Sequence, residues 1–167
     1  LNIIQNKNKL GFSNDEIRLK NCLKPVSSRE DLFRFYSHFC GRKKAFEVFE
    51  NFLASDKNIL WFYARPGFGK TAFSSMLCWN YPDAIGAIHF CKFNNSDRTN
   101  SKIIFTSIAY HLSNFIPEYK TKLINLPDLD TIFEKNASRI LEYLILEQLY
   151  DIHLSKPVVI ILDALDE

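Results

Sequence analysis

The segment from Ile59 to Thr71, ILWFYARPGFGKT, constrains the fold of this chain more than any other. Residues with strand preference run into a turn that contains two glycines, and an apolar helical pattern follows that turn. Ala64, Gly69, Lys70 and Thr71 fit the phosphate-binding loop pattern, with alanine in the first glycine position. The segment therefore predicts a strand, a phosphate-binding loop and a helix in succession. The alternative is a plain strand–turn–helix that contains Gly-Lys-Thr by chance.

The predicted loop has the residue types that bind the phosphates of a nucleotide. Gly67 and Gly69 allow successive backbone N–H groups to point at phosphate oxygens. Lys70 supplies a positive charge for the β- and γ-phosphates, and Thr71 offers its hydroxyl to Mg²⁺. The predicted nucleotide-binding residues are Ala64, Arg65, Pro66, Gly67, Phe68, Gly69, Lys70, Thr71 and Ala72.

Length and composition fit a single domain and give no sign of a nucleic-acid or membrane partner. The chain has 167 residues, 47% of them hydrophobic and 24% charged, and its net charge of +2 is too small to indicate a polyanion partner. No apolar run is long enough to span a bilayer. The cysteines lack metal-binding spacings, which predicts reduced thiols and a cytoplasmic protein. The chain begins with leucine, so we expect it to be part of a longer or processed protein.

The remaining sequence predicts alternating helices and strands. Residues 1–27 are polar and weakly patterned, and form either a flexible lead-in or part of an upstream element. Ser27 and Glu30 predict a capping box at the start of a helix. Ile85–Phe93 is a candidate strand, and Val158–Leu162 is an apolar run typical of a strand covered on both faces.

One histidine lies within the first of these candidate strands. His89 has no second potential ligand at a useful spacing, so we expect a packed or hydrogen-bonded side chain rather than a metal ligand. Apolar residues at helical spacing after Ser101 and before Ile152 predict further core helices.

An acidic group follows the second candidate strand, in the sequence DALDE. An acidic residue at the carboxyl end of a buried strand lies where ligands bind in open α/β sheets. Asp163 is predicted to hold Mg²⁺ opposite Thr71, directly or through water. Asp166, with Glu167 as second choice, is predicted to orient or deprotonate the attacking water. Taken alone, the segment fits a buried strand with a solvated acidic turn equally well.

Three segments resemble NACHT domains, which are P-loop NTPases of the STAND class of signal-transduction ATPases. VVIILDALDE is similar to the NACHT Walker B segment, and FCGR, at residues 39–42, is similar to the FxGR element that opens many STAND proteins. Residues 87–112 resemble the second-strand region of NACHT domains that precede ankyrin, WD40 or TPR repeats. The resemblance covers about residues 28–167.

The resemblance implies a three-layer α/β/α P-loop NTPase fold with a mostly parallel sheet. Residues 28–167 would be the N-terminal part of such a domain, truncated after the Walker B strand. The implied sheet order places a later strand between the phosphate-loop strand and the Walker B strand, so we expect an unfilled slot and exposed strand edges here. Arg42 would lie in the element that helps to hold the base.

The resemblance also implies a function. It predicts binding of ATP, with GTP as second choice, and slow Mg²⁺-dependent hydrolysis that switches signalling and self-association in a larger protein. Protein partners would bind through regions outside this chain, which by itself is not expected to turn over efficiently. A non-hydrolysing nucleotide-binding scaffold is the alternative. A small-molecule kinase would need an acceptor-binding segment and an arginine-rich lid, and neither is evident.

Overall fold

Helices pack against a small parallel sheet in a computed structural model that describes residues 13–35 and 39–165. Strand β1 (Ile85–Phe90) pairs with β2 (Val159–Asp163). The helices before β1 are α1 (Asn14–Leu23), α2 (Arg29–Arg34), α3 (Lys43–Leu53) and α4 (Lys70–Asn80). Those between the strands are α5 (Ser96–Thr99), α6 (Ser101–Phe115), α7 (Pro117–Ile124), a 3₁₀ helix (Leu129–Glu134), α8 (Ala137–Ile140), a π-helical stretch (Leu141–Leu146) and α9 (Glu147–Leu149).

The two strands are parallel and pair from Ile85 opposite Val159 to Phe90 opposite Asp163. The register is irregular around Gly86, where the sheet and α6 approach closely. A Cβ on Gly86 would lie 2.4 Å from Cγ1 of Val158 and 2.9 Å from Cδ2 of Leu112. Only glycine fits there without displacing its neighbours.

Helices cover both faces of β1, because alternate side chains of a strand point in opposite directions. Ala87 belongs to a core cluster formed mainly by α1, α6, α7 and the helical residues that follow them. Ile88 and Phe90 belong to a second cluster with residues of α2, α3 and α4. Strand β1 therefore lies between two groups of helices.

Helix α1 lies within residues 1–27, where the sequence had left two alternatives open. Ser13 and Glu16 form a capping box at its start, and Leu19 and Leu23 are buried in the first cluster. Arg18 donates to the carbonyl oxygen of Ile124 at 3.0 Å. The described part of this segment is thus packed against the core.

Helix α2 begins later than predicted. Its N-cap is Ser28, no side chain caps it, and the predicted capping box of Ser27 and Glu30 is wrong. The Ser27 hydroxyl instead accepts a hydrogen bond from the backbone of Arg29. Helix α6 begins at Ser101, where the apolar pattern predicts a helix. Pro117 follows two residues after its end and is the first residue of α7.

A buried ion pair braces α2 against the carboxyl end of β1. Asp31 and Arg98 are both buried, and Oδ2 of Asp31 lies 2.7 Å from Nη1 of Arg98. Because Oδ2 accepts no well-aligned hydrogen bond, this contact is chiefly electrostatic. Arg98 also donates to the carbonyl oxygens of Ser27 and Phe90, at 2.9 and 3.3 Å, and Lys92 lies 2.6 Å from Asp31. We call these contacts the Asp31–Arg98 brace.

The predicted strand before the phosphate loop is absent, since residues 59–64 pair with neither β1 nor β2. Their side chains nevertheless alternate as in an extended segment. Leu60 packs on the second cluster, and the Phe62 ring centroid lies 4.8 Å from that of Phe73. The opposite face is exposed and consists of Ile59, Trp61 and Tyr63. A strand needs a hydrogen-bonded neighbour, and the described residues supply none here.

Strand β2 is covered on one face only, which corrects the expectation of two. Val159 and Ile161 pack on the second cluster, whereas Ile160 and Leu162 remain 40% and 38% exposed. The described residues place no strand against the edge of β2 that faces away from β1.

None of the described helices has the length and apolar character needed to cross a membrane. None of the four cysteines forms a disulfide; Cys78 and Cys91 are buried, Cys22 is half-buried and Cys40 is exposed.

Candidate functional site

The predicted phosphate loop forms a tight turn at the start of α4. Gly67 and Gly69 both have a positive φ, +79° and +70°, a conformation that favours glycine. Phe68 donates its backbone N–H to the carbonyl oxygen of Arg65 at 3.2 Å, which closes the turn. Gly69 is the N-cap of α4, and no side chain caps the helix. The first N–H groups of α4 are therefore not satisfied by a capping side chain.

Lys70 is the first residue of α4, and its side chain folds back over the loop. Its Nζ donates a hydrogen bond of 2.9 Å to the carbonyl oxygen of Ala64. The interaction places the ammonium group above the turn, beside the start of the helix. A positive charge and the positive end of a helix dipole thus act on the same region.

The structure brings Asp163 to the first turns of α4, although the two lie far apart in sequence. Asp163 is the last residue of β2 and is buried, with an exposed fraction of 6%. Its Oδ1 accepts a hydrogen bond of 2.9 Å from Oγ of Ser74. Ser74 lies three residues after Thr71, and residues at that spacing share one face of a helix. The sequence alone did not indicate Ser74.

Backbone strain occurs next to this carboxylate. Ala164, which follows Asp163, has a φ of +58°, in the left-handed region that disfavours residues with a Cβ. Strained residues of this kind cluster at functional sites, where the surrounding structure holds them.

Most of the other predicted site residues lie in the loop, whereas two lie outside the described residues. Ala64, Arg65, Pro66, Gly67, Phe68, Gly69, Thr71 and Ala72 lie together in the loop and the first turn of α4. Asp166 and Glu167, the predicted catalytic carboxylates, lie outside the described residues. Among the described residues, no three His, Cys, Asp or Glu side chains lie close enough together to hold a metal ion between them.

His89 is a packed, hydrogen-bonded histidine, as predicted. Its Nε2 donates to the carbonyl oxygen of Arg98 at 3.0 Å, and burial lowers its pKa. Burial lowers the pKa of His111, on α6, to about 4, and the neighbouring His89 contributes to this shift. A hydrogen bond with the Ile88 backbone acts in the opposite direction. His111 keeps a buried Nδ1 without a hydrogen-bond partner.

Two open clefts lie away from the phosphate loop. One is lined by residues of α7, α9 and the turn after α9, including Lys122, Glu147 and Tyr150, and the other lies between α1 and the 3₁₀ helix. Both are shallow surface features, so the chemical groups at the loop, rather than cavity size, define the candidate site.

Comparison with known proteins assigns most of the chain to a family. A family model described as "Nephrocystin 3, N-terminal" matches residues 43–167, about three quarters of the chain, including the phosphate loop and Asp163. No curated protein and no solved structure matches. The chain therefore belongs to the nephrocystin-3 N-terminal family.

Proposed function

We propose that this chain is the nucleotide-binding part of a P-loop NTPase of the NACHT type. The observation that carries the proposal is the hydrogen bond of 2.9 Å between Ser74 and Asp163. It joins the acidic strand end to the helix that follows the phosphate loop, within one turn of Thr71. Two motifs that one mechanism needs together thus lie in one place.

The loop fits the phosphates of a nucleotide. A Cβ on Gly67 would meet no atom within 4 Å, so the loop is open on that side. The uncapped N–H groups at the start of α4 and the Lys70 ammonium are donors that an anion bound at the loop would accept from. A bound phosphate would compete with the carbonyl oxygen of Ala64 for the Lys70 ammonium.

The residues beside the loop also fit Mg²⁺, which prefers hard oxygen ligands. The Thr71 hydroxyl and the Asp163 carboxylate are such ligands, and Ser74 orients the carboxylate. When bound, Mg²⁺ would neutralise part of the phosphate charge. Asp166, or else Glu167, would position the water for hydrolysis.

The proposed role is a switch, in which nucleotide state controls self-association and signalling in a larger protein. The nephrocystin-3 N-terminal family is associated with NACHT-like proteins. Helices on both faces of β1 support the α/β/α fold that this class uses. ATP is the proposed nucleotide, with GTP second. Four cysteines that form no disulfide support a cytoplasmic location.

The proposal is tested by nucleotide binding. Titration calorimetry with ATP and Mg²⁺ should show binding that Lys70→Ala weakens at least tenfold, since a charged contact with phosphate is lost. Lys57→Ala, which removes an exposed cation in the loop before residue 59, is the matched control and should bind like wild type. Equal affinities for wild type and Lys70→Ala would refute the proposal.

A hydrolysis assay separates a switch from a scaffold. Asp166→Asn and Glu167→Gln should lower phosphate release without altering ATP affinity, because each removes a base or water-orienting group. If neither variant changes the hydrolysis rate of a protein that binds ATP, the non-hydrolysing scaffold is the better description.

A further inference from the structure

We infer that Arg42 is a second phosphate-binding cation of the candidate site, acting on the terminal phosphates of a nucleoside di- or triphosphate. The inference rests on the proposed nucleotide-binding function. It also differs from the base-holding role that the sequence resemblance implies for the segment around Arg42.

The first observation is the position of the guanidinium group. A Cβ on Gly69 would lie 3.3 Å from Nη2 of Arg42 and 3.9 Å from its Cζ. The guanidinium group therefore lies against the loop residue that caps α4. Among the described residues, Arg42 has neither an ion-pair nor a hydrogen-bond partner for this group, so its donors are available to a ligand.

The second observation is how the two helices are aligned. Arg42 is the N-cap of α3, just as Gly69 is the N-cap of α4. One turn further along each helix, the rings of Phe46 and Phe73 are in contact, with centroids 5.0 Å apart. The two helices thus begin side by side, and the aromatic contact holds Arg42 at the loop.

The third observation is the backbone of Arg42. Its φ of +59° lies in the left-handed region, directly after Gly41 at +83°. A residue with a Cβ is disfavoured there, and glycine would be the unstrained choice. Neither α3 nor α4 has an acidic residue in its first turn or a side-chain cap. The backbone conformation of Arg42 and the two uncapped helix starts beside its side chain support a ligand-binding role for the guanidinium group.

Guanidinium chemistry indicates the ligand. A planar guanidinium group can donate two parallel hydrogen bonds to phosphate oxygens, whereas Lys70 acts as a point charge. Lys70 follows Gly69 in the chain and the Arg42 guanidinium group lies against Gly69, so the two cations would together favour polyphosphate over monophosphate. The uncharged base and ribose would gain nothing from either residue.

The test compares the affinities of three probes, ADP, inorganic pyrophosphate and adenosine, for the whole 167-residue chain. Arg42→Gln should weaken ADP and pyrophosphate binding about 10- to 100-fold, as expected for loss of a charge-assisted hydrogen bond, and should leave adenosine binding unchanged. Arg42→Lys should recover part of the loss, because it keeps the charge but not the paired donors.

Lys44→Gln is the matched control, since Lys44 is an exposed cation two residues along in the same helix. It should change ADP affinity less than about threefold, as expected for a screened charge. The melting temperature of ligand-free Arg42→Gln should equal or exceed that of wild type, because no partner in the described chain is lost. This separates loss of a ligand contact from loss of fold.

Two results would overturn the inference. In the first, Arg42→Gln binds ADP and pyrophosphate with affinities within about threefold of those of wild type. In the second, Arg42→Gln weakens adenosine binding as much as ADP binding, which would assign Arg42 to the base. If wild type binds ADP and Lys70→Ala does not, either result rejects the role of Arg42 alone. If wild type shows no binding that depends on Lys70, the proposed function and this inference both fall.

Discussion

Replacing Arg98 by methionine tests the Asp31–Arg98 brace, which holds α2 and the carboxyl end of β1 together. The substitution keeps much of the aliphatic volume and removes the guanidinium group. It abolishes the ion pair of 2.7 Å with Asp31 and the hydrogen bonds to the Ser27 and Phe90 carbonyl oxygens. The brace also reaches α4, because Oγ of Ser75 donates to the carbonyl oxygen of Asp31.

The expected cost follows from burial. Asp31 is 4% exposed and Arg98 is 7% exposed, so methionine would leave a buried carboxylate without its closest buried partner. Breaking a buried ion pair from one side costs about 3–5 kcal/mol. Lys92, at 2.6 Å, would still pair with Asp31, so we expect the lower end, about 3 kcal/mol. For a chain of this size, that loss lowers the melting temperature by about 6–12 °C.

Equilibrium unfolding in urea measures this loss directly. The midpoint should fall while the dependence of the free energy on urea stays constant. Arg139→Met is the control, because the ion pair of Arg139 with Glu147 is exposed on both sides and should contribute less than about 1 kcal/mol. In a double-mutant cycle, Asp31→Asn should cost less after Arg98 is replaced than in wild type, because only the pair with Lys92 is then lost. A loss for Arg98→Met no larger than that of Arg139→Met would refute the reasoning.

Three further predictions concern Gly86, Ser74 and His111. Gly86→Ala should lower the free energy of unfolding in urea by about 3 kcal/mol, because the added Cβ would overlap Val158. In Gly67→Ala the added Cβ meets no atom, so this variant should lose only about 1 kcal/mol, for its backbone conformation. Ser74→Ala should raise the Mg²⁺ concentration needed for half-maximal ATP binding about tenfold, because it removes the hydroxyl that orients Asp163. Ser74→Thr keeps a hydroxyl and should not raise it. The same Mg²⁺ dependence in both variants would contradict a role for the contact with Asp163. The free energy of unfolding should decrease as the pH is lowered from 6.5 to 4, by up to about 1.4 kcal/mol per pH unit. The reason is that the pKa of His111 is lowered to about 4 in the folded chain, so the unfolded chain takes up the proton first. His111→Leu should flatten that slope without abolishing it, and an unchanged slope would contradict the assignment.

Local signals in the sequence were sufficient for much of the fold. The Gly-Lys-Thr turn at Lys70 and the apolar residues after it place the start of α4 correctly, because glycine conformation and helical periodicity are local properties. The apolar run before Asp163 predicts β2 for the same reason. Apolar residues at helical spacing after Ser101 predict α6, because helical periodicity is also a local property.

Tertiary contacts decided the rest. Residues 59–64 have strand-forming side chains but no strand partner among the described residues, and pairing depends on residues far away in the chain. The N-cap of α2 is Ser28 rather than the predicted Ser27. A capping pattern is one local preference, and the tertiary contacts of the helix outweigh it. Helix α1 is held by contacts with residues more than a hundred positions later, such as that of Arg18 with Ile124.

The candidate site divides in the same way. The sequence by itself determined the chemical groups, since glycines, Lys70, Thr71 and Asp163 are recognisable by type and spacing. Only the tertiary structure decided that Ser74 meets Asp163 and that the Arg42 guanidinium group lies against Gly69. Both contacts join segments that are separate in the chain, and the packing of α3 and α4 with the sheet sets their geometry.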